Sequence, residues 1–266
     1  MTPLEFTVVI AAISFFAGLI GSLVGVGGGI VVVPALTLLM GVDIRNAIAA
    51  SIVCVIATSA GAGASYVRER VTNLRLGMLL EIATVLGALS GAFLTVFISG
   101  RWLFLLFGSV MLYTVWSMSR KKAQTKVPLA PDKWANTLKL HSSYYDKAQR
   151  EEVIYHVSRT KTGMAVSYVA GVVSALLGVG GGIFKVPVMN LAMGLPIKVC
   201  TATSNFMIGV TAATSAAVYF VRGEVQPFVV APVAVGVLLG AKVGAKLMGH
   251  LQGQVIRKAF VVVLAI

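Results

Sequence analysis

The sequence predicts an all-α polytopic membrane protein built from two inverted repeats, each with a glycine-rich re-entrant or broken helix. Three observations point there: an apolar composition, a series of long hydrophobic runs, and an ungapped internal repeat. Hydrophobic residues make up 58% of the 266 and charged residues only 12%, against roughly 25% charged in a typical soluble domain. Mean hydropathy is +0.91. A soluble fold of this size must still present a water-compatible exterior, which this composition cannot supply. That argues against a soluble enzyme, a disordered chain and a disulfide scaffold. The 28 glycines suit closely packed spanning helices and unwound breaks.

The apolar runs are 6–23, 30–42, 46–67, 76–98, 102–119, 162–184, 186–197, 199–221, 225–241 and 255–266. A spanning helix needs about 20 residues to cross about 30 Å of hydrocarbon. Five or six of the runs are long enough. Runs 30–42 and 186–197 are too short, and each follows a glycine cluster, the pattern of a helix broken at membrane depth. The last run ends after 12 residues, so the final span reads as short or truncated. The amino terminus has no basic stretch ahead of its apolar run and no clear cleavage site, so it reads as a retained span rather than a signal peptide.

A shift of 153 residues places Gly18-Leu-Ile-Gly-Ser-Leu-Val-Gly-Val-Gly-Gly-Gly-Ile on Gly171-Val-Val-Ser-Ala-Leu-Leu-Gly-Val-Gly-Gly-Gly-Ile. Between 18–44 and 171–197, 14 of 27 positions are identical, with Pro34 on Pro187 and Gly41 on Gly194. Further along, Ser51 meets Ser204, Thr58 meets Thr211, Tyr66 meets Tyr219, Gly87 meets Gly240 and Gly91 meets Gly244. The predicted organisation is a first transmembrane repeat (1–119), a basic cytoplasmic loop (120–161) and a second transmembrane repeat (162–266).

Each half holds an odd number of spans, whether three or five, so the halves point opposite ways. Charge placement agrees. The net charge is +13, and 120–162 carries ten cations against four acids. Such a segment between apolar runs reads as cytoplasmic. Arg68, Arg70, Arg75, Lys198, Arg257 and Lys258 then fall inside, and Arg45, Arg101 and Arg222 outside, with the amino terminus also outside. A nucleic-acid partner is not supported, since the loop has no recognised binding motif. Its aromatic residues (Trp134, Tyr144, Tyr145, Tyr155) could lie against an anionic leaflet of the bilayer.

The doubled Gly-Val-Gly-Gly-Gly-Ile-x-x-x-Pro resembles the sulfite exporter TauE/SafE family, also called the toluene-sulfonate uptake permease family, over residues 6–266. The resemblance implies a carrier in the cell membrane for a small sulfur-containing anion such as sulfite, a sulfonate, sulfoacetate or thiosulfate. The long loop departs from a minimal family member.

An anion entering hydrocarbon needs replacement hydrogen bonds. A helix that starts inside the membrane offers unpaired N–H groups and about half a positive charge, and glycine lets an oxyanion approach that backbone. Gly27, Gly28 and Gly29, with Gly180, Gly181 and Gly182, are therefore candidates for an anion clamp; tight helix crossing is the other reading. Lys185 is either a counter-charge for the substrate or a lysine reaching to the interface. Glu81 is either a proton-coupling carboxyl or an interfacial acid paired with Arg75. Ser51, Thr201, Thr203, Ser204 and Asn205 could donate to oxyanion oxygens, or equally to backbone and neighbouring helices. Cys54 and Cys200 read as small hydrophobes. His141, His156 and His250 lack metal-ligand spacing, and no hydrolase triad, Walker or dinucleotide pattern occurs in a usable context, so neither an enzyme nor a cofactor is expected. A passive anion channel and a non-transporting membrane partner or sensor are the competing functions.

Overall fold

The computed structural model describes residues 3–119 and 132–265. The chain is helical almost throughout. Helix α1 (Pro3–Val24) ends at a glycine break and is followed by the short α2 (Gly29–Leu39). Then come α3 (Ile44–Arg68), α4 (Leu74–Leu94) and α5 (Gly100–Ser119). A small unit follows: α6 (Lys133–Thr137) and a hairpin of β1 (Ser142–Asp146) and β2 (Glu151–Tyr155). The second half repeats the plan with α7 (Thr160–Leu177), a second break, the short α8 (Gly182–Ala192), α9 (Ile197–Val221), α10 (Pro227–His250) and α11 (Gly253–Ala265). Six of these helices, α1, α3, α4, α7, α9 and α10, are long and apolar enough to cross a membrane.

The two short helices match in detail. Each begins with a six-residue α-helical stretch ending in proline, Pro34 or Pro187, and continues as a five-residue π turn. Proline has no N–H to donate and its ring crowds the preceding turn, so the ladder widens there. The second short helix starts at Gly182, four residues before the apolar run expected at 186–197, because Lys185 interrupts the run but not the helix.

Glycines set how closely the helices approach. A Cβ on Gly236, Gly240 or Gly244 of α10 would strike the carbonyl oxygen of Ala11, Phe15 or Leu19 on α1. At the repeat-related places, a Cβ on Gly87 or Gly91 of α4 would strike the carbonyl of Tyr168 or Val172 on α7. Small residues four apart let two backbones touch, and in lipid such packing replaces the hydrophobic drive available in water. Each tight pair joins one half to the other: α1 to α10 and α7 to α4.

The segment expected as a loop over 120–161 is folded where it is described; its cations Arg120, Lys121, Lys122 and Lys126 lie outside the described residues. Asp132 caps α6 through Ala135 N (2.6 Å) and accepts from the Thr160 N–H and hydroxyl at the start of α7. Burial pushes its carboxyl up, but the bonds from Thr160 and Ala135 more than offset this and hold it below the usual aspartate value. Tyr144 and Tyr155 are buried against each other, so they do not offer a membrane-binding face, whereas Trp134 and Tyr145 remain exposed. The unit rests on both halves. It meets the α3–α4 turn through Lys147–Glu69 (3.0 Å) and Asn73 Nδ2 to Leu140 O (2.8 Å). It meets the α8–α9 turn through Lys198–Asp146 (2.6 Å) and Ser158 N to Met193 O (3.1 Å). Arg75 and Lys198 thus lie at the same end of the molecule as this unit.

Candidate functional site

The two glycine breaks meet inside the helical body. Gly25 and Gly27 in the first, and their repeat mates Gly178 and Gly180 in the second, all have positive φ, between +70° and +80°. Glycine visits that region without steric penalty, so each chain can leave one helix and start the next within a few residues. The breaks then press together backbone to backbone. A Cβ on Gly29 would land on Gly178 O and Ser51 Oγ, and one on Gly182 would land on Gly25 O and Val26 Cα.

Serines from the opposite half close the arrangement. Ser51 Oγ donates to Gly178 O (2.6 Å), and its repeat mate Ser204 donates to Gly25 O. Thr201 Oγ1 donates to Val24 O (3.4 Å), and Asn205 Nδ2 donates to Ser22 O (2.8 Å) and Thr201 O (3.0 Å). Tyr66 and Tyr219, also repeat mates, donate to Ser22 O (3.0 Å) and Ala175 O (2.8 Å). These donors therefore satisfy the open carbonyl ends of α1 and α7, groups that would be costly to leave bare in an apolar surround. The carbonyl end of α1 faces the amide start of α8, and that of α7 faces the start of α2.

In this conformation the breaks are closed on each other. Of the residues expected to line a clamp, Gly29, Ser51, Gly182, Ser204 and Asn205 are gathered at the breaks. Gly27 packs against Val55 and Ile208, Gly180 against Val55, and Gly181 against Ala170 O. Gly28 lies against Cys54, and its N–H donates to Thr58 Oγ1 (3.4 Å). Thr203 is drawn elsewhere: its hydroxyl accepts from Asn73 N (3.0 Å) ahead of α4. Gly29→Ala and Gly182→Ala should each lower the thermal midpoint of the detergent-purified protein, because forcing a methyl into a filled space costs about 1–3 kcal/mol. A midpoint equal to the parent's would show that the breaks separate freely.

The first turn of α8 carries the charge. Lys185 is fully buried and does not reach an interface. Its Nζ donates to Thr211 Oγ1 on α9 (3.0 Å) and lies 3.5 Å from Glu81 Oε2 on α4. Glu81 is itself buried and accepts from Thr211 Oγ1 at Oε1 (2.6 Å) and from Thr84 Oγ1 at Oε2 (2.9 Å). Arg75 does not pair with it; its Nη1 donates to Lys139 O (3.1 Å). Two residues considered separately in the sequence are thus one site: an ammonium, a carboxylate and a hydroxyl bridging them, three residues beyond a glycine break. Thr211 and Thr84 were not foreseen. The one sequence signal was the repeat match of Thr211 with Thr58, which sits at the other break and accepts from Gly28 N.

Residues 10–266 match the family model described as Sulfite exporter TauE/SafE. Among curated proteins, the chain is 27% identical over 256 residues to the probable membrane transporter protein YunE of Bacillus subtilis (strain 168), covering 94% of this chain and 91% of that one. It is 26% identical over 256 residues to the probable membrane transporter protein YdhB of the same organism, covering 94% of each. No solved structure matches the chain.

Proposed function

Because the chain belongs to the sulfite exporter TauE/SafE family, we propose that it is a secondary carrier of a small sulfur-containing anion, working by alternating access. The buried Lys185–Glu81–Thr211 cluster is the observation that supports this best. A lysine with no exposure inside a bundle of apolar helices must be paired. A carboxylate that can be neutralised by a proton is a partner that can let it go. Lys185 is the anion's counter-charge, and Glu81 is the proton-coupling carboxyl.

The glycine breaks supply the moving part. Separating them uncovers the amide starts of α2 and α8 along with the hydroxyls of Ser51 and Ser204. The halves, 1–119 and 162–266, are read as inverted about this point, with 120–161 in the cytoplasm and the amino terminus outside. Contact directions support that reading. Residue numbers rise together along α1 against α10 and along α4 against α7, whereas Ser59 and Gly63 of α3 meet Gly209 and Asn205 of α9 in opposite order.

A binding screen of the purified protein against sulfite, sulfate, thiosulfate, sulfoacetate and taurine, followed by flux of the binders in proteoliposomes, tests the proposal. Saturable flux that shows counterflow is expected. Flux that rises linearly without saturation or counterflow would make the protein a channel, and no binding to any of the five would remove the sulfur-anion reading.

A further inference from the structure

We infer that the site moves one monovalent oxyanion together with one proton, as an electrically neutral unit, and that Thr211 is the positioning residue linking the two; this rests on the carrier reading above. Net charge is expensive among buried apolar helices. Among the described residues, the buried acidic and basic side chains are Glu81, Asp146, Lys185 and Lys198. Lys198 is held by Asp146 at 2.6 Å, at the end of the molecule where the hairpin unit sits. That leaves Glu81 and Lys185, which sum to zero.

A proton on Glu81 leaves Lys185 as one uncompensated positive charge in an apolar bundle. One monovalent anion restores zero. A divalent anion would leave the site one charge negative, and among the described residues the other buried cation, Lys198, is held by Asp146 away from the site. Helix α8 presents Lys185 to Glu81, α9 presents the Thr211 hydroxyl and α4 itself presents Thr84. Helix α7 packs along this stretch of α4 through Gly163 against Leu80 and Gly171 against Thr84, and neither carries charge.

Thr211 connects proton to anion through its single hydrogen. With Glu81 ionised, the hydroxyl donates to Glu81 Oε1 (2.6 Å) and accepts from Lys185 Nζ (3.0 Å), holding ammonium and carboxylate together. When Glu81 takes a proton from the aqueous side, its O–H becomes the donor across the same contact. The Thr211 hydrogen then turns to Met207 O, 3.3 Å away. The hydroxyl oxygen now accepts from both neighbours, which fills its two lone pairs. Lys185 keeps a neutral contact, loses its ion partner and is free to take the anion. No covalent bond is made or broken apart from the O–H that gains and later loses the proton.

The test uses the full chain in proteoliposomes with methanesulfonate and methanedisulfonate, both fully ionised. Methanesulfonate uptake should be driven by an inward proton gradient and unchanged by a potassium diffusion potential of either sign. Methanedisulfonate should be about 100-fold or more slower, the ratio expected when one buried charge goes uncompensated. Thr211→Val should flatten the pH profile of uptake, and Thr211→Ser should keep the parent profile; a packing role alone would lower the rate without changing the profile's shape. A response to the diffusion potential, equal rates for the two anions, or a parent profile in Thr211→Val would overturn the inference while leaving the carrier standing. No saturable flux of any sulfur anion would overturn both.

Discussion

Lys185→Met should bind no anion and carry none, whereas Glu81→Gln should still bind anion but no longer accumulate it in response to a pH gradient. The asymmetry follows from their roles. Methionine fills nearly the same volume as the buried lysine but removes the one buried cation at the break, among the described residues, that can compensate an anion. Glutamine keeps one acceptor, its amide oxygen, for the Thr211 or the Thr84 hydroxyl and leaves the ammonium in place, so an anion becomes the sole route to neutrality. Stability separates this from simple misfolding. Breaking one side of a buried pair leaves an unpaired charge and typically costs about 3–5 kcal/mol, whereas replacing both sides with neutral groups is often neutral. Each single variant should therefore melt well below the parent, and Lys185→Met/Glu81→Gln should recover most of the loss while remaining inactive. Anion binding by isothermal titration and melting in detergent would check both halves. A double variant no more stable than the singles would mean that the two groups do not act on each other.

Asp146→Ala should produce the second large effect, at the other buried pair. Asp146 and Lys198 are each 4% exposed and 2.6 Å apart. Asp146 also accepts from Ala148 N (2.9 Å) and, at its other oxygen, from the Tyr144 hydroxyl (3.3 Å). Burial pushes this carboxyl up, yet the Lys198 bond and the Ala148 N–H overcome it and hold it below the usual aspartate range. A carboxyl with a lowered folded value contributes stability that is fully present above its unfolded value and is lost as pH falls through the folded one. The contact between the hairpin and α9 should therefore weaken only in acid, from the ordinary aspartate range downward. Removing the carboxylate should do the same at neutral pH, at a cost of about 3–5 kcal/mol for the stranded lysine. Hydrogen exchange over 142–155 should rise sharply in Asp146→Ala, and proteolysis should reach the hairpin first. Unchanged protection of the hairpin would show that its other anchors, Asn73 and Glu69, hold it unaided.

The membrane-spanning plan was legible because it depends on local, additive quantities. Run length sets whether a helix can cross, and proline and glycine set where it must break. The repeat made the second half readable from the first, including the prolines of both short helices, whereas the π turns after Pro34 and Pro187 came only with the structure. The hairpin was less so: Ser142–Asp146 and Glu151–Tyr155 are short strands in a charged stretch, and their burial comes from the helix ends beneath them.

The class of molecule, the two broken helices and the family could be read along the chain, because hydropathy, ungapped repetition and a doubled glycine motif need no partner to be recognised. Which residues meet was set by packing in three dimensions. Lys185 and Glu81 lie 104 positions apart in the chain, and each had a plausible role alone. The residues that make them one site, Thr211 and Thr84, are ordinary hydroxyls in apolar helices. Likewise, the sequence could not say that Ser51 and Ser204 each donate to a carbonyl of the opposite half in this conformation. A buried polar group takes the nearest partner that three-dimensional packing supplies, and spacing along one helix cannot say which neighbour that is.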